Sequence, residues 1–140
     1  MPIAFYIALL FTVALMVTTL YFLLGGLPLL TLRHDTPMDA RFVRGFFRLY
    51  YKTVFVAALG ASLGFAIWGK PAFALATAAM ALLAQALRRY LIEAMQRLDE
   101  RIQANHEGSV RRFRRVHGFA LSLNLLQLVV LVWGLNKLFA

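Results

Sequence analysis

Any chemistry in this chain has to start from His117, Asn124 and Gln127, which interrupt the otherwise apolar run "VRRFRRVHGFALSLNLLQLVVLVWGL" at 110–135. On a helix turning about 100° per residue, Asn124 falls about 20° from His117 and Gln127 about 80° from it, so the three share one side. Ser122 faces elsewhere. Polar groups in such a span turn toward protein and find partners there, and Gln85, Thr12, Thr18 and Thr19 are the candidates. Three uses fit an inward polar face. It can be an interhelical hydrogen-bond clamp, or a path for a ligand, ion or proton. It can also, through His117, hold a b-type haem inside a helical bundle. His34 is the other histidine a haem could draw on, but it and His106 sit in expected loops, and no two histidines face each other across two spans at matched depth.

Other reactive arrangements are missing from the sequence. There is no cysteine, hence no disulfide framework and no thiolate metal site. Neither an HxxxH nor an ExxH spacing occurs, so no metal site is expected. The spans carry no Ser, His and Asp set, no glycine-rich phosphate loop and no carboxylate pair. No catalytic residue is assigned. The expected function is therefore that of a non-catalytic inner-membrane protein, either a small transport or permeation unit or the accessory subunit of a larger complex. A haem-binding membrane oxidoreductase using His117 is the alternative.

Two further patterns border the apolar runs. Arg41, Arg44, Arg48 and Lys52 recur at spacings of 3, 4 and 4, forming one stripe, and Arg111, Arg114 and Arg115 stand at the same boundary of the last span. They can bind an anionic lipid headgroup or anionic ligand, or they can simply set topology and pair with Glu93, Asp99 and Glu100. Gly60 and Gly64 form a GxxxG among small residues, where two backbones can approach closely in lipid. The partner is expected to be the alanine-rich third helix (Ala72, Ala76, Ala79), with a homo-oligomer interface as the other reading.

The elements that must position these residues follow from composition. At 61% hydrophobic and 15% charged, the chain of 140 residues has the make-up of one membrane domain. Residues 1–32 carry no charge, more than the roughly 20 apolar residues that cross a hydrocarbon layer. "MPIAFYIALLF" lacks the basic start of a cleavable signal, so the segment is expected to stay as a helix. Gly25, Gly26 and Pro28 should weaken or kink it. Asp35 or Thr36 before Pro37 reads as a helix cap, "GKP" at 69–71 as a connection short enough to force an antiparallel return, and Ser109 as the start of the last helix. The expected fold is an all-α, up-and-down four-helix membrane bundle with cytoplasmic helical extensions and spans of about 3–24, 53–69, 71–90 and 116–138.

Charge orients it. Thirteen of the 15 Lys and Arg lie in 33–52 and 88–115, leaving Lys70 and Lys137 for the other face. The positive-inside rule then places both termini in the periplasm of a bacterial inner membrane. Tyr50, Tyr51 and Tyr90 would mark the cytoplasmic interface, and Trp68 and Trp133 the opposite one. The net charge of +9 is read as meeting the anionic lipids of the bilayer, not nucleic acid.

"FVRGFFRLYYKTVFVAALGAS" and "FRRVHGFALSLNLLQLVVLVWGL" resemble the small four-span bacterial proteins of a domain of unknown function, distantly like the eukaryotic TMEM-205 group. The likeness covers roughly 41–135 together with Gly25 and Gly26, and its most specific piece is Phe113, His117 and Asn124. It implies a fold and a membrane location but no settled activity, and no catalytic residue comes with it.

Overall fold

The computed structural model describes residues 2–30, 37–103 and 109–140. It consists of four helices, α1 (Ile3–Leu30), α2 (Pro37–Ile67), α3 (Pro71–Gln103) and α4 (Ser109–Phe139). Among the described residues there is no strand. All four are long and apolar enough to cross a membrane, which makes the chain a multi-pass membrane protein. At 1.5 Å per residue the 31 residues of α2 extend about 46 Å, well beyond a ~30 Å hydrocarbon layer. The arginine-bearing ends of α2, α3 and α4 are the excess.

The turn between α2 and α3 shows how the chain reverses. Gly69 takes a φ of 79°, where a Cβ would be strained. Its N–H donates to the Ala66 carbonyl at 3.1 Å and the Lys70 N–H to that of Phe65 at 2.9 Å, the paired bonds of a Schellman cap. Lys70 then accepts from Ala74 at 3.0 Å, and Pro71 fills the first helical position, where a missing N–H costs nothing.

Each helix packs against its neighbours around a ring: α1 on α2, α2 on α3, α3 on α4, and α4 back on α1. The buried positions repeat at an average near 3.5 residues, giving Ala4, Ala8, Thr12, Leu15, Thr19, Phe22 and Gly26 on α1. On α2 they are Val43, Phe47, Tyr50, Val54, Ala57, Ala61 and Gly64. Such spacings of three and four keep one face of each helix turned to its neighbours. Both seams include small residues, Ala4, Ala8 and Gly26 on α1 and Ala57, Ala61 and Gly64 on α2, where backbones can approach closely in the absence of a hydrophobic drive between helices in lipid.

Three expectations are corrected here. Helix α1 continues through Gly25 and Gly26 to Leu30 with Pro28 inside it. The glycines are contact positions instead: a Cβ at Gly25 would stand 3.0 Å from the Phe46 ring and one at Gly26 2.5 Å from Leu121 Cδ2. Gly60 and Gly64 pack on α1, not on α3. A Cβ at Gly60 would meet the Phe11 ring at 2.5 Å, and one at Gly64 the Ala8 backbone nitrogen at 2.7 Å. Ala72, Ala76 and Ala79 are left exposed on α3. Finally, Tyr50 and Tyr51 are core residues, 3% and 2% exposed, while Tyr90 is exposed as an interfacial residue would be.

Candidate functional site

The inner seam of α4 runs through Phe113, His117, Ala120, Asn124, Gln127 and Leu131, so the same 3.5-residue repeat that packs the bundle carries the three polar side chains inward. His117 is fully buried, its ring edge-on to that of Phe47 at 5.0 Å and 87°. Asn124 is buried too, at 2%. Since Phe47 lies on α2, diagonally across the ring from α4, side chains close the centre that backbones do not reach.

Deeper in the bundle, Gln127 Nε2 donates to Thr19 Oγ1 at 3.0 Å and to the Tyr50 hydroxyl at 3.4 Å. Thr19 can accept because its own proton goes to the Leu15 carbonyl at 2.7 Å. Thr12 and Thr77 likewise donate to the Ala8 and Phe73 carbonyls, at 2.7 and 2.8 Å. Such local bonds let a hydroxyl sit in an apolar interior without an outside partner. Tyr50 stacks on Phe22 at 3.8 Å, and Phe22 on Phe46 at 4.3 Å. This aromatic stack fixes the phenol that meets Gln127.

Gln127, Thr19 and Tyr50 thus form one hydrogen-bonded group; with Tyr51 against Tyr50 at 5.1 Å and with Asn124 and His117 farther along the same buried seam of α4, they make up a discontinuous column of polar side chains in the bundle interior. Among the described residues, Asn124 Nδ2 and the Tyr51 hydroxyl are buried with no hydrogen-bond partner. Each unpaired donor in an apolar interior costs about 1–3 kcal/mol. The column therefore holds hydrogen-bonding capacity that packing alone does not require.

Of the expected partners, Thr19 is joined to the α4 face and Gln85 is not. Gln85 lines a separate cleft of about 460 Å³ with Arg48, Arg88, Arg89, Ile92 and Glu93. Tyr50 is a partner outside that expected set. Its signal was present in the sequence, since Phe47, Tyr50 and Val54 lie on the same 3–4 repeat as the small residues, but interfacial tyrosines look alike in composition. Ser122 faces outward and donates to the Gly118 carbonyl at 2.9 Å, as its angle required.

Of the basic stripe, Arg41, Arg48 and Lys52 are exposed and Arg44 is half-buried. Arg111, Arg114 and Arg115 are exposed at the start of α4. Glu93 reaches Arg97, one turn on along α3, at 3.9 Å. His34 and His106 lie outside the described residues, and so does the cap at Asp35 or Thr36. Among the described residues no group of three or more His, Cys, Asp or Glu could hold a metal ion.

Two crevices are largely apolar. One, of about 250 Å³, opens between α3 and α4 near Trp133 and Lys137; the other, of about 280 Å³, lies beside Phe22, Phe46 and Tyr50. Neither is lined by a histidine. Compared with known proteins, the chain matches no family model, no curated protein and no solved structure.

Proposed function

We propose that this chain is a small, non-catalytic permeation unit of a bacterial inner membrane, with the polar column as its path and both termini in the periplasm. The observation that carries the reading is the unused hydrogen-bonding capacity of Asn124 Nδ2 and the Tyr51 hydroxyl inside an otherwise apolar bundle. Intramembrane polar groups that packing does not need mark pathways for ions, protons or small polar solutes. The orientation is supported by the 13-to-2 division of basic residues. The four-span family that the sequence resembles has no settled activity and leaves this reading open.

The test is flux. The purified chain, reconstituted in vesicles with a trapped pH dye, should relax an imposed proton gradient faster than protein-free vesicles. Asn124→Leu and His117→Phe should abolish the difference while the helical spectrum and melting temperature stay near those of the parent. Equal flux in parent and variants would reduce the column to a structural clamp.

A second reading, an accessory subunit or homo-oligomer, is favoured by a different feature. Ala72, Ala76 and Ala79 form a run of small residues exposed on one side of α3 at spacings of 4 and 3, a surface another helix backbone can approach closely. Replacing Ala76 with Leu should split a complex in mild detergent if that face holds another helix, and should leave particle size unchanged if it faces lipid. The haem alternative would require the His117 ring to leave its edge-on seat against Phe47. A Soret band in the purified protein would establish it.

A further inference from the structure

The basic residues at the arginine-rich end do not act as the single stripe that their spacing on α2 suggests. Of the stripe, Arg48 lines one cleft with Gln85, Arg88 and Arg89 of the antiparallel α3. We infer that this cleft is a binding site for the phosphate headgroup of an anionic membrane lipid, held by Arg48, Arg88 and Arg89 with Gln85 as a fourth donor.

Charge is the first argument. Three guanidinium groups share the lining with one carboxylate, Glu93, and that carboxylate also faces Arg97 at 3.9 Å. The cleft keeps a positive excess that a phosphate neutralises. Guanidinium forks match phosphate oxygens in geometry as well as sign, and the Gln85 amide adds a neutral N–H pair from one turn deeper.

Depth is the second. Gln85 lies within the apolar run of α3 and Arg88 just past its end, while Arg48 precedes the apolar run of α2 by about one turn. These positions bracket the level at which headgroups meet hydrocarbon. Just inside it, Leu82 and Leu83 of α3 are 71% and 51% exposed, a surface on which acyl chains can lie while the phosphate stays in the cleft. A free anion would gain the same charge pairing but nothing from that apolar flank, which is why the lipid is the assigned ligand.

The inference stands apart from the column's role, and its readout is thermal stability, not flux. The full chain in phosphatidylcholine nanodiscs is melted with increasing phosphatidylglycerol, and in parallel with inorganic phosphate. Phosphatidylglycerol should raise the melting temperature saturably. Combined Arg48→Gln, Arg88→Gln and Arg89→Gln should weaken the apparent affinity by about a hundredfold. Arg111→Gln, Arg112→Gln and Arg115→Gln together remove the same charge from α4, outside the cleft lining, and should weaken it less than the cleft triple variant does. Equal losses in the two triple variants, or no saturable rise in the parent, overturn the site. An equal rise from inorganic phosphate overturns the lipid assignment. If the cleft triple variant does not fold, Arg48→Gln and Arg89→Gln singly should still weaken the response, and an unchanged response in both overturns the site.

Discussion

Gln127 and Asn124 occupy the same seam of α4 and should respond to the same substitution in opposite ways. Gln127→Leu removes two hydrogen bonds and leaves the Tyr50 hydroxyl without the partner described above. Measured interhelical bonds in membranes average about 0.6 kcal/mol with a maximum near 1.7, so a loss of about 1 kcal/mol is expected. Asn124→Leu keeps the branched outline of the side chain with bulkier ends and removes an amide whose Nδ2 has no hydrogen-bond partner among the described residues, so the change should be nearly neutral or stabilising. Unfolding in graded sodium dodecyl sulfate measures both. A loss above about 1 kcal/mol for Asn124→Leu would contradict an unpaired Asn124 amide.

The helix pair α1 and α2 depends on where a methyl group has room. At Gly64 a Cβ would stand 2.7 Å from the nitrogen and 2.8 Å from the Cα of Ala8, atoms of a helix backbone that cannot move singly. Gly64→Ala should therefore cost about 1–3 kcal/mol by overpacking. At Gly60 the obstacle is the Phe11 ring, a half-buried side chain that can turn toward lipid, so Gly60→Ala should cost less than Gly64→Ala. Gly45 has nothing within 4 Å and lies inside α2, so Gly45→Ala should stabilise by about 0.5–1 kcal/mol through backbone entropy. Thermal melts of the three variants in one detergent give the order. If Gly64→Ala melts with the parent, the helices are not in contact at that point.

At the scale of the whole molecule, orientation is the quantity to measure. With 13 basic residues toward one face and two toward the other, a C-terminal alkaline phosphatase fusion should be active in a bacterial host, because that enzyme folds only after export. A C-terminal fluorescent protein that matures only in the cytoplasm should stay dark. Bright fluorescence would reverse the orientation and put the lipid cleft on the outer leaflet. Exchanging Lys70 and Lys137 for glutamine should change neither reporter, since the sign of the asymmetry stays the same.

The sequence by itself determined the number of helices, the reversal at Gly69 and the inward face of α4. Each depends on local quantities: a run of apolar residues long enough to cross lipid, a three-residue connection at 69–71, and the 100° step that sets three polar residues on one side. Tertiary structure alone decided which helix receives Gly60 and Gly64, that Tyr50 and Tyr51 are buried instead of interfacial, and that Gln85 joins Arg48 and not Gln127. In a soluble bundle hydropathy would have separated inner from outer faces. In lipid both faces are apolar, and α1 has no charged residue at all. Only the fit of small against large side chains selects the partner, and that fit belongs to pairs of helices, not to either sequence alone.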